Sequence, residues 1–468
     1  MKNDIRRKIM SRVKNIHFIG IGGSGMSGIA LILNDLGYTI SGSDISASKT
    51  TDFLKKKNIK VYIGHKKNNV FSKNVVVVSS AIKDSNVEYV HAKKLNIPVI
   101  QRAEMLAELM RYSYGIAIAG THGKTSTTAL LSYILGEAKY DPTYIIGGKI
   151  INYSNAKLGS SDYLIAEADE SDASFLHLQP MISVITNIDK DHLENHQGSF
   201  CVLKKNFVKF VNNMPFYGLC LINKSDINTM SLINDLARPI KTFGIDVDSD
   251  YKAISVDVSK SMAEYTYIEN DKRYKIKLNV SGKHNVLNSL AALSVARELN
   301  IPIKVIQNAL INFPGVSRRL EIIGYFTIKE KKFMWIDDYG HHPTEIKAVI
   351  NAIKNIWANR EIIIIFEPHR YSRVAEHFDQ FVDVLQDVDR VILMNIYAAS
   401  ETKIKNISSA IMIKEISRYN KKAKLLNSHE EISDFIDKTI SSDDILLTMG
   451  AGDILKFVNF YKKKLSKN

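Results

Sequence analysis

The sequence predicts an α/β fold built from parallel strands and the helices that cover them. Short runs of β-branched residues recur through the 468 residues, with helix-length amphipathic segments between them. Two glycine-rich loops each follow such a run and precede a predicted helix. These observations indicate three successive domains, 1–112, 113–320 and 321–468.

The first and third domains are predicted to be Rossmann-like, and the second to hold a larger, mainly parallel sheet. In the first domain we expect helices near 25–36 and 49–57. In the second we expect a hairpin at 263–280 and a helix that starts within 282–300. The strands are expected at 16–20, 38–44, 74–81, 114–120, 162–172, 181–189, 219–226, 332–340, 361–368, 390–395 and 444–452.

Composition narrows the class of protein. The formal charge is +14, but the lysines are scattered along the chain, so no nucleic-acid-binding stripe is predicted. A positive surface also favours small anionic substrates. No signal peptide or membrane span is predicted, and Cys201 and Cys220 form no CxxC pair. A cytoplasmic protein without membrane insertion is therefore expected.

The first glycine loop is a GxGxxG pattern over residues 20–25, between a predicted strand and a predicted helix. Glycines let the backbone approach a diphosphate, whose charge the helix N-terminus stabilises. Asp44 ends the next predicted strand, as in dinucleotide-binding folds. Alone, this loop fits either a nicotinamide nucleotide or a simple tight turn.

The second glycine loop, Gly120–Thr125, resembles a P-loop, in which Lys124 would meet phosphates and Thr125 would ligate magnesium. The match to GxxxxGK[ST] is imperfect because Ile118 stands at the first glycine position. A structural turn remains the alternative interpretation.

Acidic residues follow the next predicted strands. Glu167, Asp169, Glu170 and Asp172 lie within six positions, and Asp189, Asp191 and His192 follow a later strand. Acids at the carboxyl ends of parallel strands are typical of metal-nucleotide sites, although a solvated loop is the simpler explanation. Two phosphate loops with an acidic cluster disfavour a simple dehydrogenase and indicate one nucleotide that is spent and one that is held.

Motifs along the whole chain carry a resemblance to the Mur ligase family. They stand at 20–30, 120–127, 167–180, 186–192, 282–292, 314–321, 337–348, 367–373 and 449–454. The resemblance implies an N-terminal domain for a UDP-sugar, a central P-loop-type ATPase domain, and a C-terminal domain for an amino acid.

Within the family, the motifs resemble the branch that joins L-alanine to the lactyl carboxylate of UDP-N-acetylmuramate in peptidoglycan precursor synthesis. That reaction spends ATP, passes through an acyl phosphate, and releases ADP and phosphate. The alternative is the recycling branch, which attaches a tripeptide. Its N-terminal loop carries a threonine-phenylalanine pair where this chain has Gly23 and Ser24. Both a monomer and a homodimer remain open.

By similarity, the central domain binds ATP and magnesium, with two ions expected. The magnesium ligands implied are Thr125, Glu167 and His192, although His192 alone would be an ordinary surface histidine. Helix capping is the alternative for His284, Asn285 and Asn288, and Arg319 is preferred to Arg318 as the phosphate contact. The implied ATP-binding residues are Gly120, Thr121, His122, Gly123, Lys124, Thr125, Ser126, His284, Asn285, Asn288 and Arg319.

Similarity also assigns residues in the outer domains. The implied UDP-sugar contacts are Gly22, Gly23, Ser24, Gly25, Met26, Ser27, Asp44, His65, Ser79 and Ser80. The implied amino-acid contacts are Asp338, His341, His342, Arg370 and Arg373. A guanidinium suits a carboxylate and Asp338 suits an ammonium, with loop packing as the alternative. The catalytic set expected is Lys124, Glu167, His192, Asp338, Arg370 and Arg373.

Overall fold

The computed structural model describes residues 10–399 and 401–466. The chain divides into two compact units, and the first extends to Pro314. The second begins at Gly315 and also takes the short segments Asp257–Ala263 and Val280–His284. Over the described ranges, no helix combines the length and the apolar character that crossing a membrane requires.

The N-terminal part of the first unit is a parallel five-stranded sheet in the order β3-β2-β1-β4-β5. The predicted strands and helices of this region are confirmed. The short strands β3 and β5 escaped prediction because they are only partly buried. The elements are Asn15–Ile19 (β1), Ser24–Asp35 (α1), Thr39–Asp44 (β2), Lys49–Lys56 (α2), Lys60–Ile63 (β3), Val75–Val78 (β4), Val87–Lys94 (α3), Val99–Gln101 (β5) and Arg102–Arg111 (α4).

The rest of the first unit is organised by a ten-stranded sheet in the order β15-β14-β13-β12-β11-β10-β6-β9-β7-β8. The strands from β12 through β11, β10 and β6 to β9 pair in parallel, as predicted for this domain. The strands are Tyr114–Ala119 (β6), Thr143–Ile145 (β7), Ala156–Lys157 (β8), Tyr163–Glu167 (β9), Ile182–Ile185 (β10), Leu219–Asn223 (β11), Ile240–Ile245 (β12), Tyr251–Asp257 (β13), Ala263–Glu269 (β14) and Lys272–Leu278 (β15). The helices are Lys124–Glu137 (α5), Phe200–Asn212 (α6), Ile227–Met230 (α7), Lys283–Glu298 (α8) and Ile303–Asn312 (α9).

The second unit holds a six-stranded sheet in the order β16-β17-β21-β18-β19-β20, in which only the β16–β17 pair is antiparallel. Its strands are Glu321–Ile328 (β16), Lys331–Asp338 (β17), Ile362–Phe366 (β18), Arg390–Leu393 (β19), Ala423–Leu425 (β20) and Ile445–Met449 (β21). Its helices are Pro343–Ile356 (α10), Tyr371–Glu376 (α11), Phe378–Gln386 (α12), Ser409–Tyr419 (α13), His429–Thr439 (α14) and Ile454–Leu465 (α15).

Parallel pairing determines where functional side chains gather. The central strands of all three sheets are mostly apolar and buried, and several polar side chains stand at or just after the ends of these strands. In an open parallel sheet the carboxyl ends of neighbouring strands share one edge, where ligands bind. The predicted site residues follow these strand ends.

Candidate active site

The second glycine loop joins β6 to α5 in a conformation that requires glycine. Gly120 and Gly123 have positive φ values of 127° and 84°. A Cβ at Gly120 would collide with Thr186, and one at Gly123 would collide with Asn288. Ile118, which broke the P-loop pattern, lies inside β6 and is fully buried. The loop therefore begins only at Gly120 and is shorter than a standard P-loop.

Lys124, the first residue of α5, points back into its own loop. Its ammonium donates to the carbonyls of Gly120 and Thr121 at 2.6 and 3.2 Å, and to both carboxylate oxygens of Glu170 at 2.9 and 2.8 Å. Glu170 is 2% exposed. Burial alone would lower the pKa of Lys124, but the negative charges of Glu170, Asp169 and Glu167 together outweigh it and raise that pKa. A phosphate that reaches this loop meets a charged amine already held in place.

Thr125 and Glu167 form the second polar pair of the loop. The Thr125 hydroxyl donates to Glu167 Oε2 at 3.2 Å, and the Gly147 amide donates to Glu167 Oε1 at 2.6 Å. Burial raises the pKa of Glu167. A hydroxyl beside a carboxylate is an all-oxygen donor set of the kind that Mg²⁺ prefers, so these residues fit the implied metal.

The loop after β10 is hydrogen-bonded to the second glycine loop. The Asn187 side chain accepts from the His122 amide at 2.8 Å and donates to the His122 carbonyl at 2.9 Å. The Asp189 amide donates to the Thr121 hydroxyl at 2.9 Å. His192 follows with a positive φ of 56° and pairs with Asp191 at 3.5 Å. The predicted ATP-binding and acidic segments are therefore brought together.

The remaining predicted ATP contacts fall on different units. Asn285 and Asn288 are buried on α8 in the first unit, where Asn288 accepts from Thr127 at 3.4 Å. His284 and Arg319 belong to the second unit. Burial, followed by the charge of Arg319, lowers the pKa of His284 to about 4. Ser126 is buried within α5, so its side chain lies below the loop surface.

The first glycine loop is built around a carboxylate. The Gly22 amide donates to Asp44 Oδ2 at 2.8 Å, which ties the loop after β1 to the end of β2. Gly23, Ser24 and Ser80 are exposed, whereas Gly25 and Ser79 are half-buried. These residues line the carboxyl edge of the N-terminal sheet.

Two predicted sugar contacts have buried side chains. Met26 is 1% exposed and packs in the hydrophobic core of the first unit. Ser27 is also buried, and its hydroxyl donates to the Ser24 carbonyl at 3.0 Å. Both residues lie in the first turns of α1 with their side chains inward, so a sugar contact at these positions would use the backbone.

The predicted amino-acid contacts lie at the carboxyl edge of the C-terminal sheet. Asp338, which ends β17, accepts from the amides of Gly340 and Leu320, each at 2.7 Å. Burial raises the pKa of Asp338 to about 6. The His341 amide donates to Glu345 at 3.0 Å. His342 is buried at the start of α10, where its Nδ1 accepts from the Thr344 amide at 3.3 Å.

The arginines of this edge differ in their surroundings. Arg373 is buried on α11 and contacts His369, whereas Arg370 is half-buried and lies 3.9 Å from Glu401. Arg318 donates to the buried carboxylate of Asp337 at 2.8 Å and to the Gly450 carbonyl at 2.7 Å.

Arg319 lies 3.5 Å from Glu345. Arg318 is held by hydrogen bonds to Asp337 in β17 and to Gly450, which follows β21. Arg319 therefore remains the preferred prediction for the phosphate contact.

Sequence reasoning missed some of the residues that organise these sites. Glu170 was noted only as one acid of a cluster, although it is the buried partner of Lys124. Thr186 donates to the His122 carbonyl at 2.6 Å. Glu88 is buried in α3, a helix with no motif around it. For Glu170, the only signal in the sequence was its position shortly after the end of β9.

Comparisons with known proteins agree along the chain. Family models described as the Mur ligase family catalytic domain, the Mur ligase middle domain and the Mur ligase glutamate ligase domain match residues 15–114, 118–296 and 318–452. Two proteins named UDP-N-acetylmuramate–L-alanine ligase, from Vesicomyosocius okutanii and Ruthia magnifica, are 49% and 50% identical to the chain. Each match covers 96% of this chain and 97% of the relative.

Solved structures give the same picture. A UDP-N-acetylmuramate–alanine ligase from Thermotoga maritima matches with a TM-score of 0.83 and 29% identity, over 97% of this chain and 99% of that one. A murein peptide ligase from Psychrobacter arcticus matches with a TM-score of 0.73 and 24% identity, over 97% and 98%, which shows a shared fold alone.

Proposed function

The chain belongs to the Mur ligase family, and from this premise we propose that it ligates L-alanine to UDP-N-acetylmuramate at the expense of ATP. The observation that carries the substrate assignment is the identity of 49% and 50% to two alanine ligases over 96% of the chain. The tripeptide-adding alternative is not favoured, since Gly23 and Ser24 replace its threonine-phenylalanine pair.

In the proposed reaction the lactyl carboxylate attacks the γ-phosphorus of ATP, and ADP leaves. The amine of L-alanine then attacks the acyl phosphate, and inorganic phosphate leaves as the amide forms. Catalysis of this kind depends on positioning and on neutralising charge at the transferring phosphoryl group. Lys124 supplies a fixed positive charge, because Glu170 and two carbonyls already orient its ammonium.

Thr125 and Glu167 would hold the first magnesium ion, and His192 would serve a second. Magnesium supplies charge neutralisation to the phosphate oxygens when it is bound. The half-buried Glu167 carboxylate, fixed by the Gly147 amide and the Thr125 hydroxyl, supports this assignment. In the first unit, the ATP contacts proposed are those of the glycine loop, Ser126 through its backbone, Asn285 and Asn288. Resemblance to the family adds His284 and Arg319 as proposed ATP contacts.

The two remaining substrates are assigned to the outer sheets. We assign the UDP-sugar to Gly22–Gly25, Asp44, His65, Ser79 and Ser80, and L-alanine to Asp338, His341, His342, Arg370 and Arg373. The arginines suit the alanine carboxylate and Asp338 suits the ammonium. The proposal also includes domain boundaries near 112 and 320 and a cytoplasmic location. Two cysteines without a disulfide bond, Cys201 and Cys220, are consistent with that location.

The proposal is tested by phosphate release from Mg-ATP in parallel reactions. One contains UDP-N-acetylmuramate alone, one adds L-alanine, and one adds the tripeptide in its place. Release that requires both the sugar nucleotide and L-alanine supports the proposed reaction. Phosphate release only with the tripeptide would assign the chain to the recycling branch. If folded protein releases no phosphate in any of the reactions, the proposed ligase activity is rejected.

A further inference from the structure

A buried carboxylate organises the outer edge of the N-terminal sheet. Glu88, on α3, is fully buried, and its oxygens accept from the Asn69 side chain at 2.5 Å, the Lys66 amide at 3.2 Å and the Ser43 hydroxyl. His65 Nδ1 lies 3.2 Å from the same carboxylate. Glu88 thereby joins the end of β2, the turn after β3 and the following 3₁₀ segment.

The charge state of Glu88 decides which nitrogen of His65 carries the proton. Burial alone would raise the pKa of Glu88, but hydrogen bonds with His17, Ser43 and Asn69 lower it to about 2. An ionised carboxylate only accepts hydrogen bonds, so His65 Nδ1 carries the proton that faces it. In a neutral imidazole the other nitrogen, Nε2, is then an acceptor. The His65 side chain is 18% exposed, so it is partly accessible at this edge.

The sheet order indicates which part of a nucleotide would reach His65. The glycine loop follows β1, Asp44 ends β2, and β2 lies between β1 and β3. Asp44 pairs with Ile63 in register, and the Gly64 amide donates to the Asp44 carbonyl at 2.7 Å. In this fold the diphosphate meets the loop after β1 and the ribose meets the acid after β2. The base therefore extends toward the turn after β3, which carries His65.

A base whose N3 position meets His65 must offer a donor at N3. Uracil has an N–H group at N3, whereas cytosine has a lone pair there. Two facing acceptors cannot form a hydrogen bond, and a desolvated acceptor without a donor loses binding energy.

We propose that Glu88 is a positioning residue that fixes His65 as the acceptor for the N3–H of uracil, and so makes the N-terminal site select uridine over cytidine nucleotides. This inference rests on the proposed function, since it assumes that the N-terminal sheet binds the nucleotide of the sugar substrate. It assigns specificity to a residue that touches no ligand and lies outside every motif of the chain.

The test measures dissociation constants of UDP and CDP at pH 8 by calorimetry. Wild-type protein should bind UDP at least about tenfold more tightly than CDP, the equivalent of one hydrogen bond. Glu88→Gln and His65→Phe should reduce that ratio to within about twofold. Glu108→Gln, which changes an acid on α4 paired with Arg111 at 3.1 Å, should leave the ratio unchanged.

A merely structural role for Glu88 would weaken UDP and CDP equally and preserve the ratio, and that result overturns the inference. A second measurement does not depend on the variants folding. Long-range ¹H–¹⁵N spectra of the wild type should show His65 protonated at Nδ1 and bare at Nε2, with the resonance assigned by its loss in His65→Phe. Protonation at Nε2 would also overturn the inference.

Failure of the proposed function gives a different pattern. If folded wild-type protein binds neither UDP nor UDP-N-acetylmuramate, the assignment of the N-terminal sheet falls, and the inference about Glu88 falls with it. If UDP binds and the ratio survives in Glu88→Gln, only the inference is lost.

Discussion

The two glycine loops share a strand-loop-helix frame but differ in charge. In the N-terminal loop, Gly22 donates to the half-buried Asp44, and the loop from Gly20 to Ser24 contains no lysine. In the central loop, Lys124 follows Gly123 directly and is locked between two carbonyls and Glu170. Thr125 and Glu167 stand beside it. The same strand-loop-helix arrangement thus occurs once without and once with a lysine held by a buried carboxylate.

This difference in charge suggests a division of roles between two loops of the same backbone form. One loop would bind the nucleotide of the sugar substrate, and the other would bind the ATP that the reaction consumes. Backbone amides at a helix N-terminus suffice to bind a diphosphate, which is all that the N-terminal loop offers. Phosphoryl transfer requires in addition a cation and a metal site that meet the charge developing in the transition state. Changes in the central loop should therefore reduce turnover, whereas changes in the N-terminal loop should reduce binding of the sugar nucleotide.

The largest effect is expected from Lys124→Ala. Turnover should fall by about 10³-fold or more, because the transferring phosphoryl group loses its fixed cation. UDP binding, measured by calorimetry, should stay within about twofold of wild type, since Lys124 lies outside the N-terminal sheet. Lys157→Ala is the matched control, because Lys157 is an exposed lysine that pairs with Asp141 at 2.5 Å. Equal loss of UDP binding and turnover would contradict the separate roles proposed for the two loops.

Glu167→Gln should lower kcat by about 10²-fold and raise the magnesium concentration that gives half-maximal rate. An amide is a weaker magnesium ligand than a carboxylate, although it can still accept from the Gly147 amide. Asp172→Asn is a control from the same acidic segment, since Asp172 only caps the turn at Ser174, at 3.0 Å. A normal magnesium titration in Glu167→Gln would remove Glu167 from the metal site.

Asp44→Asn should raise KM for UDP-N-acetylmuramate by about tenfold while kcat and KM for ATP remain unchanged. The amide oxygen can keep the bond from Gly22, but one acceptor for the ribose is lost. Asp52→Asn, on the exposed face of α2, provides the comparison variant. A fall in kcat with unchanged KM would mean that the N-terminal loop takes part in the chemical step.

The smallest effect is expected from pH, at a site outside both loops. Asp338 has its pKa raised to about 6 by burial, so its carboxylate is ionised above that pH and protonates below it. If it holds the alanine ammonium, the contribution of Asp338 to kcat/KM for L-alanine should fall about fourfold between pH 8 and pH 5.5. Asp338→Asn should lose this limb of the profile, and an unchanged limb in the variant would assign it to another group.

Much of the fold was predictable because strands and loops leave local signals. The buried runs at β4, β6, β10 and β18 were confirmed as strands, and both glycine loops were confirmed between a strand and a helix. The burial of the Met26 side chain was not predictable, because proximity to the loop does not reveal which side of a helix a residue occupies. The site assignments that resemblance supplied remain predictions.

The α/β class, the two glycine loops and the acids near the second loop could all be inferred from the chain alone, because glycine, charge and strand patterns act over a few residues. Only the tertiary structure decided that Glu170 pairs with Lys124 and that Glu88 gathers Ser43, His65 and Asn69. Partners separated by 46 and by 19 to 45 residues meet through sheet order and register. Burial then adjusts their protonation, because a charge removed from water must find its counterpart within the fold.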